Sequence, residues 1–98
     1  EMAFSGVFPL VKSLEARGAV VSVHDPMLSD AELADLGFRP HVLGGQVDAI
    51  IVQSDHPEYA SLGPTDLGNP KAVVDGRRIL NSGHFFDSST ALLTIGIG

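Results

Sequence analysis

A small α/β domain with a mostly parallel sheet is what this chain predicts, and three observations carry that expectation. Short, β-branched apolar runs alternate with segments whose apolar residues recur at helical spacing, which is how parallel strands joined by crossovers read. The runs "AIIV" and "AVV" do not alternate in polarity, as befits strands covered on both faces. The 98 residues, 44% of them hydrophobic, suffice for one small core. The expected form is a doubly wound, Rossmann-like sheet with helices on both faces.

The elements follow in order. Between Ser5 and Arg17 the residues Val7, Phe8, Leu10, Val11 and Leu14 fall at helical spacing, with Ser5 placed to cap and Gly18 to stop the helix. Pro9 lies in the first turns, where proline is tolerated. "AVVSVH", residues 19–24, reads as a strand that Asp25-Pro26 terminates. Ser29 followed three residues later by Glu32 has capping-box spacing, and Gly37 closes that second helix. Residues 39–43 read as a short extended piece and 49–53 as the strongest strand. "HPEYASLG" reads as a helical turn or short helix, "PTDLGNP" as a loop, residues 72–74 as a buried strand and "ALLTIGIG" as a last strand.

Composition excludes several functions. Six basic against twelve acidic residues give a formal charge of −6, the wrong sign for nucleic acid or an anionic membrane surface. No apolar run approaches the roughly 20 residues of a membrane-spanning helix. With no cysteine there is no thiolate nucleophile, disulfide framework or Cys-ligated zinc in these residues. The four histidines show no metal-site spacing, and "VLGGQVD" has neither the spacing nor the context of a phosphate-binding glycine loop. A cytoplasmic location is the expectation.

Parallel strands share a carboxyl edge, and ligands of such folds bind along it. Three polar clusters follow three apolar runs: His24-Asp25-Pro26, Gln53-Ser54-Asp55-His56 and Asp75-Gly76-Arg77-Arg78. The third stands out, because an arginine fork can hold a phosphate or carbonyl oxygen through two parallel hydrogen bonds. Gly76 ahead of it permits a turn or a close backbone approach. The competing reading is a solvated arginine pair at a strand end, bridging Asp75. For Asp55 and His56, helix capping is favoured over an acid–base pair, and a small hydrolase built on them lacks a nucleophile at an elbow motif. For His24 and Asp25, turn chemistry is favoured. Phe85-Phe86 reads as core or interface.

With these residues in hand, the chain resembles the C-terminal, UDP-binding domain of the UDP-glucose/GDP-mannose dehydrogenase family. "SGVFPLVKSLEARGAVVSVHDP" is similar to the family's opening helix followed by its "GA.V.V.DP" strand, "VDAIIVQSDHPEY" to its "aDaiviaT.h.ef", and "VVDGRRIL" to its "DgRn" strand end. The resemblance implies a fragment of a three-part enzyme. An upstream Rossmann domain would bind NAD, a middle domain would form a homodimer, and this domain would close over a UDP- or GDP-linked sugar. The enzyme would oxidise the sugar's primary alcohol to a carboxylate, giving a uronic acid for polysaccharide biosynthesis. Its catalytic cysteine lies outside this chain, so the fragment would not be catalytic alone. Residue by residue, the resemblance makes Arg77 the substrate-binding arginine of the "DGR" motif. Arg78 falls where many members have Asn and takes a lesser part, while Asp75 and Gly76 shape the turn. Two departures accompany it: the family's first strand would lie upstream of Glu1, and Ala3 stands where the family's "D.RES" has arginine. The alternative is a stand-alone α/β regulatory or interaction module without ligand binding.

Overall fold

A computed structural model describes residues 6–95, and the chain divides after His41 into two compact units. The first unit is built from caps. Helix α1, Val7–Ala16, turns Val7, Phe8, Leu10, Val11 and Leu14 to its half-buried side and leaves Pro9, Lys12, Ser13 and Glu15 exposed. That is the stripe its sequence spacing predicts. Gly6 occupies the N-cap position, and Ser5 lies outside the described residues. Helix α2, Asp30–Asp35, carries the predicted capping box. Ser29 Oγ accepts the Glu32 backbone N–H at 3.1 Å, and the Ser29 N–H donates to Glu32 Oε1 at 2.9 Å.

Both helices end in the same way. The Gly18 N–H donates to Glu15 O and the Ala19 N–H to Leu14 O; the Gly37 N–H donates to Ala34 O and the Phe38 N–H to Leu33 O. This paired pattern is the Schellman motif, which needs a left-handed residue, and Gly18 and Gly37 sit at φ +92° and +91°. The second motif also closes a hydrophobic contact. Phe38, just past the stop, is buried with Leu33 in a cluster that gathers Val7, Phe8, Val11, Val23 and Leu28. The Phe8 and Phe38 rings lie 4.9 Å apart, inclined by 31°.

The strands predicted at 19–24 and 39–43 shrink to one parallel bridge, Val23 with Pro40. The Val23 N–H donates to Arg39 O and the His41 N–H to Val23 O, both at 2.8 Å. The missing N–H of Pro40 lies outside these two bonds, since its neighbours Arg39 and His41 make them.

The second unit holds the sheet. Strands β1 (Ala49–Val52), β2 (Ala72–Asp75) and β3 (Ala91–Thr94) are all parallel, in the order β1-β2-β3. Three parallel strands in one open sheet, with two α-helices among the described residues, make this a small Rossmann-like α/β domain. The last three residues of "ALLTIGIG" lie outside the described residues. Register puts Ile50, Val73 and Leu92 in one row. Because side chains in one row share a face, that row meets the core of Val52, Leu67, Val73 and Phe85, joined by Tyr59, Leu62 and Ile79. Central β2 is buried or half-buried throughout, whereas Ile51 and Leu93 on the edge strands remain partly exposed.

The crossover from β1 to β2 contains a 3-10 turn, Pro57–Tyr59, in place of a full helix. The loop "PTDLGNP" contributes Leu67 to the core, which its polar neighbours conceal in the sequence. Phe85-Phe86 splits: Phe85 is core and Phe86 is exposed.

Candidate functional site

Register alone brings two of the three polar clusters together. Val52 pairs with Asp75, so the residues that follow each strand emerge side by side at one carboxyl edge. The monotonic strand order contains no reversal, and the rim is defined by that shared edge.

Asp75 ends β2 with no exposed surface. Its Oδ1 accepts the backbone N–H groups of Arg77 at 3.1 Å and Ile79 at 3.3 Å, and its Oδ2 accepts that of Leu80 at 2.9 Å. A buried carboxylate is tolerable only when its lone pairs are satisfied. Here the backbone satisfies them by curling around the carboxylate, and within the curl Arg78 adopts a left-handed φ of 55°. Asp75 therefore does not bridge to a guanidinium. It builds the turn on which Arg77 stands.

Gly76 serves closeness of approach. Its N–H donates to Val52 O at 3.0 Å, and a Cβ there would lie 3.0 Å from the same oxygen and 3.4 Å from Gln53 Oε1. The turn thus packs directly onto the end of β1.

Arg77 reaches back across that junction. Nη2 contacts Asp55 Oδ2 at 3.3 Å and Nη1 lies 3.5 Å from Gln53 O. Both side chains of the pair are open to water, Arg77 at 47% and Asp55 at 66%. Asp55 is therefore not the cap its position suggests. The 3-10 turn has His56 at its N-cap without a side-chain hydrogen bond, and the His56 ring stands edge-on to Tyr59 with centroids 5.6 Å apart. Sequence reasoning missed the Asp55–Arg77 pair. The available signal was the alignment of the two strand ends, which sets residues 53–55 beside 76–78.

The remaining cluster lies in the first unit. Asp25 is buried and its Oδ1 accepts the Met27 N–H at 2.7 Å, the turn chemistry that Asp-Pro predicts. Among the described residues no group of His, Asp or Glu could hold a metal ion, and no helix is long and apolar enough to cross a membrane.

The family described as UDP-glucose/GDP-mannose dehydrogenase family, UDP binding domain, matches residues 1–82. The chain belongs to that family. The match takes in both helices, β1, β2 and the whole Asp75–Leu80 turn, and stops short of β3. As a UDP-binding domain the chain takes a nucleotide-sugar ligand, and the match does not favour a module without one. No curated protein and no solved structure matches the chain. Within this UDP-binding domain, the second unit presents the exposed guanidinium fork of Arg77 at a strand-end rim, on a backbone fixed by a buried carboxylate, with exposed Arg78 beside it.

Proposed function

We propose that this domain holds the nucleotide part of a UDP- or GDP-linked sugar for an NAD-dependent nucleotide-sugar 6-dehydrogenase, which oxidises the sugar to its uronic acid. Arg77 grips a diphosphate oxygen, Gly76 admits the ligand close to the backbone, and Arg78 adds positive charge beside it. NAD and the catalytic cysteine belong to upstream parts of a homodimeric, cytoplasmic parent enzyme that supplies polysaccharide precursors, so this chain binds without catalysing.

The observation that carries the reading is the placement of Arg77. It stands at the shared carboxyl edge of two parallel strands, where α/β folds bind ligands. Its fork is exposed, and its backbone is held by the Asp75 carboxylate. Diphosphate oxygens match that fork in charge and geometry.

Titration with UDP tests it. Hydrogen bonds to charged groups contribute about 1.5–3 kcal/mol, so Arg77→Ala should weaken UDP binding by about tenfold or more. Equal affinity of the two proteins would contradict the reading.

A further inference from the structure

We propose that Asp55 is an internal competitor for the Arg77 fork, displaced when an anionic ligand binds, and that it thereby sets the affinity of the rim. The proposal rests on the reading of Arg77 as a diphosphate ligand and adds the residue that opposes it.

The geometry of the pair motivates this. Arg77 and Asp55 meet through a single contact of 3.3 Å, and the second nitrogen reaches only a backbone oxygen at 3.5 Å, the outer limit of a hydrogen bond. The fork is occupied but not filled, since a carboxylate or phosphate that used it fully would make two parallel bonds. Both partners are largely solvated, and exposed ion pairs of this kind are weak. A diphosphate offers more charge and more acceptor oxygens than one carboxylate, so the exchange runs in the ligand's favour.

Releasing Asp55 does not disturb the platform. The Arg77 backbone is anchored to Asp75, not to Asp55, and Gly76 is tied to Val52 O. The competing carboxylate is thus an exchangeable partner of Arg77 on a turn whose backbone is held independently of it. Once displaced, it stays within side-chain reach of the fork, where its charge opposes the ligand's. Asp55 accordingly lowers affinity twice: it must be removed, and it then repels.

The test uses the 98-residue chain, its Asp55→Asn and Asp55→Ala variants, and Arg77→Ala, each titrated with UDP and with inorganic pyrophosphate. Both Asp55 variants should bind about two- to fivefold tighter than the parent chain, the gain expected from removing one exposed ion pair. The side-chain carboxyl carbon of Asp55, followed by NMR, should move on UDP addition to the value it holds in ligand-free Arg77→Ala. A role in holding Arg77 ready would produce weaker binding in both variants and overturn the proposal. So would an Asp55 signal that stays still while those of Arg77 shift. If the parent binds UDP, Arg77→Ala does not, and the Asp55 variants match the parent, competition fails while the binding role of Arg77 stands. Silence of every variant with both ligands overturns the binding role and the competition together.

Discussion

Two aspartates close to the same rim, Asp75 and Asp55, make opposite use of the same side chain. Asp75 is wholly buried and spends its carboxylate on three backbone N–H groups. Asp55 is two-thirds exposed and touches one guanidinium nitrogen. The first contact cannot be exchanged without unmaking a turn, whereas the second exchanges with water, salt or ligand. Burial, rather than charge, separates the group that builds the site from the group that tunes it.

Substitutions at the two positions should sharpen that contrast, and the largest effect belongs to Asp75. Asp75→Ala strands three backbone donors of a half-buried turn that now point at its buried carboxylate, and each donor left without a partner costs about 1–3 kcal/mol. A loss of at least about 3 kcal/mol of stability is expected, read as a lowered urea midpoint. A loss below about 1 kcal/mol would mean that water reaches those donors and that the turn is not built around the carboxylate.

Next comes the junction that seats the turn on β1. In Gly76→Val the new Cβ would sit 3.0 Å from Val52 O, tighter than ordinary contact, with two further methyls beyond it. Displacing the turn should cost about 1–3 kcal/mol by the same unfolding measurement. It should also weaken UDP binding, because Arg77 moves with its backbone. A smaller effect is expected in the first unit, where Ser29→Ala removes the capping-box acceptor and about 1 kcal/mol. No change in unfolding for Ser29→Ala would show that α2 depends on the Leu33 and Phe38 packing alone. Smallest of all, Asp55→Asn should leave stability within about 0.5 kcal/mol of the parent, despite removing an ion pair. A loss as large as that at Asp75 would erase the distinction between the two aspartates.

The sequence was most informative where structure is set locally. The capping box at Ser29 and Glu32, the stops at Gly18 and Gly37 and the apolar stripe of α1 all stand where spacing predicts them, because each depends on residues within about two turns. The apolar runs likewise became β1, β2 and β3, and their parallel direction follows from the crossovers between them. The bridge at Val23 and Pro40 was less legible, since β-branched composition marks a segment that can pair but not how far the pairing extends. At the rim, "DGRR" in the sequence marks a turn with an arginine on it. What the pattern cannot show is that Asp75 turns inward to its own backbone and leaves Asp55, more than twenty residues earlier, to meet the guanidinium. That contact depends on strand register, a property of two segments together.

The measurement that bears most directly on the central claim is a titration of the chain with UDP, GDP and NAD in turn, following the backbone signals of residues 74–79. Shifts confined to UDP or GDP, and abolished by Arg77→Ala, are the predicted result. Signals that stay still with both nucleotides, or that respond equally in Arg77→Ala, would contradict the claim that this strand-end turn holds the nucleotide.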